Sequence, residues 1–158
     1  MIILGIDPGY AIVGYGVIEF KSNRFSVVDY GAITTNAGTP FERRLELIYD
    51  DLNLLMGKFH PEAMSIEKLF YNTNAKTVID VAQARGVTVL AAKKNNIPIF
   101  EYTPLQVKQS VVGYGRAEKK QVQEMTRIIL KLAKIPKPDD TADALAMAIC
   151  HAHASGSL

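Results

Sequence analysis

Four acidic residues are candidates for a shared catalytic centre: Asp7, Glu67, Asp140 and Asp143. Asp7 follows the apolar run Ile-Leu-Gly-Ile and precedes the turn Pro8-Gly9, and Glu67 ends the segment Ala-Met-Ser-Ile. Either acid alone could cap a turn or lie on the surface. If both end neighbouring strands of one sheet, their carboxylates lie at the same edge, where ligands gather in open sheets. Two such acids repel each other unless a cation lies between them.

The other two acids lie three residues apart at the start of the last apolar segment. That spacing places Asp140 and Asp143 on one helix face, with Cβ atoms about 5–6 Å apart. Asp140 could instead be an N-cap, and Asp143 could complement the helix dipole. The residues around Asp143, from Ala142 to Ile149, are otherwise apolar, which predicts a buried helix. A buried carboxylate is costly unless it is paired or bound to a metal.

The chemistry of this donor set favours a hard divalent cation. Carboxylate oxygens suit Mg²⁺ or Mn²⁺ rather than Zn²⁺. A natural use is phosphodiester cleavage with two ions about 3.5–4 Å apart. A second group, Cys150, His151 and His153, has a helical spacing that does not converge its side chains. We interpret Cys150 as a small core residue and the two histidines as structural or surface groups.

Length and composition indicate a single domain spanning residues 1–158, of which 48% are hydrophobic. The single cysteine excludes a disulfide framework. We find neither a secretory signal nor an apolar stretch of about 18 residues, so we expect a cytoplasmic protein without a membrane span. Residues 80–158 hold 11 basic and 7 acidic residues, many of the basic ones between Lys108 and Lys137. This local excess suggests a polyanionic partner, although solvated helix faces would also explain it.

Apolar periodicity predicts the elements that must position these side chains. Strands are predicted at 2–7, 14–20, 25–33, 63–67 and 97–102, and helices at 40–59, 74–95, 104–112, 118–132 and 140–154. Thr39 is the predicted N-cap of the first helix, which His60-Pro61 ends. The predicted fold is α/β, a mixed five-stranded sheet of three antiparallel and then two parallel strands, flanked by helices.

Six short motifs occur in order along nearly the whole chain. They are Gly-Ile-Asp-Pro-Gly at 5–9, Ile-Glu at 66–67, Gln-Ala-Arg-Gly at 83–86, Gln-Val-Lys at 106–108, Ala-Glu-Lys at 117–119 and Asp-Thr-Ala-Asp-Ala-Leu-Ala at 140–146. This series closely resembles the RuvC family of bacterial Holliday-junction resolvases. The resemblance implies a ribonuclease H-like fold, a homodimer, and Mg²⁺-dependent nicking of two opposed strands of a four-way DNA junction in recombination and repair. It also implies 5′-phosphate and 3′-hydroxyl ends, and the RuvA–RuvB branch-migration complex as a partner.

The resemblance assigns catalysis and the binding of two Mg²⁺ ions, with Mn²⁺ as a substitute, to the four acids Asp7, Glu67, Asp140 and Asp143. Asp139 is an extra neighbouring acid. By the same resemblance Phe70 stacks on a base, with adjacent Tyr71 as the alternative, unless Phe70 packs in the core. The resemblance assigns four basic residues to contacts with DNA phosphates: Lys108, Arg116, Lys119 and Lys120. Exposed basic residues without such a role are common, which is the alternative.

Gly86 lies inside the predicted helix 74–95, where glycine costs about 1 kcal/mol relative to alanine. We therefore expect close approach of another element there. The resemblance places the dimer interface on this helix, whereas packing within one subunit is the alternative.

Two other function classes are weighed against the endonuclease. The motif at 5–9 resembles the first phosphate loop of actin and the chaperone ATPases, but the chain offers neither a second lobe nor a second phosphate loop. A non-catalytic module that binds branched DNA is the other alternative, and the complete set of acids argues against it.

Overall fold

The computed structural model describes residues 1–69 and 77–156. Three strands, β1 (Ile2–Asp7), β2 (Ile12–Lys21) and β3 (Arg24–Thr34), form an antiparallel meander. The hairpin between β2 and β3 turns at Ser22 and Asn23, which both have positive φ angles (52° and 58°). Such a two-residue turn matches the twist of the flanking strands.

The chain then alternates helices with two further strands. Strand β4 (Ala63–Glu67) pairs parallel with β1, and β5 (Ile99–Tyr102) pairs parallel with β4, giving the strand order β3-β2-β1-β4-β5. The predicted mixed five-stranded sheet is therefore confirmed. The helices are α1 (Phe41–Phe59), α2 (Val78–Lys94), α3 (Pro104–Val111), α4 (Lys119–Ile129) and α5 (Asp139–Ser155). None of the helices in the described ranges is long and apolar enough to cross a membrane.

The sheet separates two hydrophobic cores, and the alternation of side chains along each strand decides which face a residue joins. Leu4 and Ile6 of β1 pack with α1 and α2, whereas Ile3 packs with α3, α4 and α5. The period of two therefore turns Gly5 and Asp7 toward the α5 face as well. Asp7 thus faces the helix that carries the last two candidate acids.

Three predicted helix starts are wrong by one residue: α4 begins at Lys119 instead of 118, and the other two shifts change a predicted cap. Helix α1 begins at Phe41 because Pro40 has an extended ψ of 139° and is itself the N-cap, so Thr39 does not cap it. Helix α5 begins at Asp139 with Pro138 as its N-cap. The N-cap alternative for Asp140 is therefore excluded, and its carboxylate is available for another role.

Other ends of elements shift by a few residues. Strand β5 begins two residues later than predicted, at Ile99, and α4 ends at Ile129 instead of 132. Helix α1 ends as predicted, with His60 in the left-handed region at φ 47°. The predicted first residues of helix 74–95, up to 76, lie outside the described residues.

Glycines on β1 and β2 let α5 lie directly against the sheet. A Cβ atom on Gly14 would stand 2.0 Å from the Asp140 carbonyl oxygen, and one on Gly5 would stand 2.0 Å from that of Ala144. Gly14 pairs with Asp7 across the β1–β2 ladder. Since no side chain separates Gly14 from the first turn of α5, this contact brings Asp140 to Asp7.

Two hydrogen bonds fix α5 in this seat. The buried Ser65 hydroxyl of β4 donates to the Met147 carbonyl oxygen at 2.7 Å. The Thr141 hydroxyl donates to the Gly31 carbonyl oxygen of β3 at 3.0 Å. The helix is therefore fastened to strands on both sides of β1.

Gly14→Ala should destabilise the protein by about 1–3 kcal/mol, because an overpacked contact with main-chain atoms cannot relax by side-chain rotation. Gly57→Ala in α1 is the matched control, since a Cβ there meets nothing within 4 Å. We expect the control to be neutral or to stabilise by up to about 1 kcal/mol. Urea unfolding of both variants measures the difference. Equal stabilities for the two variants would contradict the close contact between Gly14 and the main chain of α5.

Candidate active site

Asp7 and Glu67 end two adjacent parallel strands. The register pairs Ile6 of β1 with Ile66 of β4, so the next residue of each strand is one of these acids. Ser65 of β4 contacts α5, and the period of two turns Glu67 to the same face. The carboxylates of Asp7 and Glu67 therefore occupy neighbouring positions at the carboxyl edge of the sheet.

Helix α5 adds Asp140 and Asp143 to this edge. The carboxyl group of Asp7 shares a hydrogen bond with that of Asp140, and it also interacts electrostatically with Asp143 and Glu67. Glu67 in turn interacts with Asp143. The structure thus brings together the four acids that the sequence singled out, and Asp7 interacts electrostatically with each of the other three.

Burial and mutual repulsion make these acids reluctant to ionise. Burial, then the charge of Asp143 and the hydrogen bond that the protonated Asp7 carboxyl group donates to Asp140, raise the pKa of Asp7 to about 8. Burial, and then Asp143, also raise the pKa of Glu67, against the opposing effect of Lys119. Burial raises the pKa of Asp143, and the Lys119 ammonium again opposes it. The cluster therefore concentrates more negative charge than it can hold at neutral pH without a cation.

Lys119, the first residue of α4, supplies part of that positive charge. Its Nζ lies 3.3 Å from Asp143 Oδ2, and its side chain is 60% exposed. Burial disfavours the charged ammonium, but Asp143, Asp139 and Asp7 outweigh it and raise the pKa of Lys119. The ammonium is therefore charged at neutral pH, with one side on the acids and the other open to solvent.

A cavity of about 280 Å³ opens beside the acids. Its charged lining comes from Asp7, Glu67, Asp143, Lys119 and Lys108. Apolar side chains of α3, α4 and α5 close the rest of its wall, namely Pro104, Val107, Val122, Ala146 and Met147. Such a wall lowers the local dielectric constant and strengthens the interactions among the charges.

Hydrogen bonds at their first turns fix α3 and α4, which carry the two lysines of this cavity. The Thr103 hydroxyl accepts from the Gln106 N–H at 3.1 Å, and the Thr103 N–H donates to Gln106 Oε1 at 2.8 Å. The Glu118 N–H donates to Gln121 Oε1 at 2.7 Å. At the start of each helix, the N–H group of the N-cap residue therefore donates to a glutamine side chain three residues later. This spacing can be recognised in the sequence.

The other residues that the sequence singled out do not line the cavity or lie outside the described residues. Arg116 and Lys120 are exposed and do not line the cavity. Asp139 is held by Lys137, whose Nζ lies 3.0 Å from Asp139 Oδ1, so Asp139 differs from Asp140 in its partner. Phe70 and its alternative Tyr71 lie outside the described residues.

The donor chemistry fits a hard divalent cation, although no finished coordination sphere is present. Within residues 1–69 and 77–156, no group of three or more His, Cys, Asp or Glu side chains is arranged to hold a metal ion. In the arrangement observed, Asp7 bonds to Asp140, and Asp143 pairs with Lys119. All four donors are carboxylates that a divalent cation would relieve of mutual repulsion, so the residues fit Mg²⁺ or Mn²⁺.

The histidines and the cysteine near the end of α5 have structural roles, as their spacing indicated. Cys150 is buried, and burial raises the pKa of its thiol to about 11. The His151 ring stacks on Phe100 at 4.2 Å, and its Nδ1 bonds to the Tyr102 hydroxyl at 2.7 Å. His153 bonds through Nδ1 to Ser110.

The sequence interpretation missed the glycines on which α5 rests. The available signal was the presence of Gly5, Gly14 and Gly16 inside strands, where glycine often marks a close approach of another backbone. Gly86 is a different case, since a Cβ there meets nothing within 4 Å in the described structure. The alternative of packing within one subunit is therefore wrong for Gly86, and the approach of a second subunit stays a prediction.

Asp7→Asn should stabilise the protein in the absence of divalent ions. Since the pKa of Asp7 rises from 3.8 to about 8 on folding, the folded state binds more protons across that interval, and stability falls as pH rises through it. Asparagine removes this dependence. We expect the variant's advantage to be small at pH 4 and more than about 1 kcal/mol at pH 8.

Thermal and urea unfolding between pH 4 and pH 9 measure this advantage. Asp50→Asn, at an exposed acid of α1, is the control and should follow the wild type throughout. Added Mg²⁺ should narrow the gap, because an ion held by the native carboxylates stabilises only the wild type. An Asp7→Asn protein that is no more stable than wild type at pH 8 would refute the raised pKa assigned to Asp7.

Comparison with known proteins agrees with this geometry. The family described as "Crossover junction endodeoxyribonuclease RuvC" matches residues 3–151. A relative of that name from Ruminiclostridium cellulolyticum is 62% identical over 160 aligned positions, covering 100% of this chain and 96% of the relative. The RuvC structure from Thermus thermophilus superposes with a TM-score of 0.92 at 32% identity, covering 99% of this chain and 96% of that one.

The same Thermus thermophilus protein in complex with a Holliday junction substrate superposes with a TM-score of 0.91 at 30% identity, over 99% of this chain and 96% of that one. These matches also confirm the ribonuclease H-like fold expected from the motif series. Both the family match and the curated relative extend over nearly the whole length of the sequence. The chain therefore belongs to the RuvC family of crossover junction endodeoxyribonucleases.

Proposed function

We propose that this protein resolves Holliday junctions by making paired, symmetric nicks in opposed strands of four-way DNA, in recombination and repair. The observation that carries the proposal is the convergence of four acids at the carboxyl edge of the sheet, with Lys119 against Asp143 at 3.3 Å. Family membership over nearly the full chain supports junction DNA as the substrate. The expected ends are 5′-phosphate and 3′-hydroxyl, which a ligase can seal.

We assign the binding of two Mg²⁺ ions, replaceable by Mn²⁺, to Asp7, Glu67, Asp140 and Asp143. When bound, such ions supply a Lewis acid that generates the attacking hydroxide and neutralises charge on the departing oxygen. The Asp7 carboxyl group interacts with all three other acids, which suits it to serve both ions. Because its pKa of about 8 keeps it largely protonated at neutral pH, Asp7 must release that proton to become a ligand.

The basic residues complete the proposed site by opposing phosphate charge. Lys119 pairs with Asp143 and is 60% exposed, so its ammonium can contact a phosphate without moving far. Lys108 lines the same cavity from α3. Arg116 and Lys120 flank Lys119 on the exposed surface, where they suit the flanking phosphates of the strand. Phe70, or Tyr71 beside it, is proposed to stack on an unpaired base.

A second copy of the chain is the proposed partner of the outer face of α2. Ile79 and Leu90 are 65% and 51% exposed, although both are large and apolar. They share one face with Gln83 and Gly86 at intervals of four, three and four residues, and Gly86 leaves open space for an approaching helix. A two-fold dimer through this face would present two sites to the two symmetric strands of a junction.

Three further assignments follow the family. The RuvA–RuvB branch-migration complex is the proposed partner on junction DNA, and the cytoplasm is the proposed location. The endonuclease is favoured over an actin-like or chaperone-like nucleotide-binding domain, because the family match covers residues 3–151. It is favoured over a non-catalytic DNA-binding module by the acids whose pKa values are raised at the cavity.

Incubation with a synthetic mobile four-way junction, with and without Mg²⁺, tests the activity directly. The wild type should nick opposed strands only with the ion, and Asp7→Asn should slow cutting by about 1000-fold or more while junction binding persists. Asp50→Asn should cut normally. Mapping the nicks on each arm shows whether they are symmetric, and normal cutting by Asp7→Asn would overturn the assignment.

The dimer is tested by placing charge on the proposed face. Ile79→Lys and Leu90→Lys together should convert the protein to a monomer, because each subunit would bury two ammonium groups in an interface that already holds the same two from its partner. Leu54→Lys, at an apolar α1 residue that is 71% exposed, is the matched control and should leave the assembly unchanged. Sedimentation equilibrium measures the mass. A double variant that still dimerises would move the interface elsewhere.

A further inference from the structure

One side chain from α2, Arg85, reaches the end of the strand that carries Glu67. Its Nε lies 3.4 Å from the Glu67 carbonyl oxygen, and its Nη2 lies 3.1 Å from Oε1 of Glu101 on β5. A single guanidinium therefore contacts two neighbouring parallel strands where both approach the active site. Arg85 belongs to the Gln-Ala-Arg-Gly motif, and the proposed function assigns no role to Arg85 itself.

Arg85 acts on the main chain of Glu67 and not on its carboxylate. The register pairs Glu101 with Ile66, whose side chain lies in the core under α1 and α2. The Glu67 side chain points to the opposite face, toward α5, where the positive charge that acts on it is Lys119. Arg85 therefore holds the strand from the face opposite the acids.

The end of β4 needs such a restraint. On the β5 side the ladder continues, since the Lys68 N–H donates to the Tyr102 carbonyl oxygen at 2.9 Å. On the β1 side the residue after Asp7 is Pro8, which has no N–H with which to extend the ladder. Strand pairing on the β1 side therefore weakens at Glu67, which is where the Arg85 guanidinium contacts the main chain.

The burial of Arg85 agrees with a positioning role. Its side chain is only 16% exposed, and Nη2 is shielded from solvent yet makes no hydrogen bond within the part of the chain that the structure describes. The contact with Glu101 is therefore an ion pair outside hydrogen-bond geometry. A largely buried ion pair is weak evidence for a contribution to stability, so the two contacts of Arg85 are better explained by the geometry that they impose on the ends of the strands.

We propose that Arg85 is a positioning residue that keeps the Glu67 end of β4 in place for divalent-ion binding. This inference rests on the proposed function of the four acids. It requires a guanidinium, because two of its nitrogens reach the Glu67 carbonyl oxygen and the Glu101 carboxylate at once. A lysine ammonium can meet one of these partners but cannot span both.

Arg85→Lys tests this role, with Arg43→Lys as the matched control at an exposed ion pair with Glu46 on α1. Calorimetric titration with Mg²⁺ in the absence of DNA should give a Kd for Arg85→Lys at least about fivefold above wild type, the range of a lost supporting contact. Junction cleavage should need a similarly higher Mg²⁺ concentration and recover to within about twofold at saturation. Junction affinity in EDTA should stay unchanged, and Arg43→Lys should match wild type throughout.

An unchanged Mg²⁺ affinity in a folded Arg85→Lys protein would overturn the proposal, as would a loss of junction binding in EDTA that matches the loss of cleavage. If Arg85→Lys does not fold, Glu101→Gln decides: weaker tethering of the guanidinium should raise the Mg²⁺ requirement about twofold, and no change refutes the role. If the wild type binds Mg²⁺ but does not cut junctions, the proposed function fails while the comparison of Mg²⁺ affinities still tests Arg85.

Discussion

The crowding of partly buried carboxylates is the constraint on which this molecule depends. Folding brings Asp7, Glu67, Asp140 and Asp143 to one edge of the sheet, where burial first and mutual repulsion second raise the pKa values of Asp7, Glu67 and Asp143. Isolated buried charges of this kind would normally neutralise or move apart. They stay together here because rigid elements of the fold hold each acid, and we infer that the retained repulsion favours the proposed binding of divalent cations.

The supports come from three directions. Strand pairing of β1 with β4 sets Asp7 beside Glu67, and the contact of α5 with Gly14 sets Asp140 against Asp7. Helices α3 and α4 contribute the apolar wall and the lysines on the open side. Each support uses main-chain geometry or close packing, which are stiff compared with the rotation of a carboxylate. The proposed replacement of the Asp7 proton and of the Lys119 ammonium by a divalent ion would therefore need little movement of the main chain.

Much of the fold and of the candidate site could be predicted from the sequence, and the parts that could not be predicted have physical reasons. Apolar residues that repeat every two or every 3.6 positions predicted the order of the ten strands and helices. The expected parallel pairing of two strands that end in an acid predicted that Asp7 and Glu67 would be neighbours. Thr39 was misassigned as a cap because the extended backbone of Pro40 moves the helix start by one position. The contact of Arg85 with a carbonyl oxygen escaped prediction, since a side-chain type does not reveal which distant main-chain group it reaches.

The glycine seat of α5 has a consequence for how such enzymes diversify. Backbone resting on backbone offers no interchangeable side chains, so compensating substitutions at Gly5 or Gly14 have almost nothing to work with. The spacing of the acids is thereby inherited as a property of the fold's skeleton. Substitutions in the outer loops and on the helix surfaces, by contrast, leave this backbone contact and the spacing of the acids as they are.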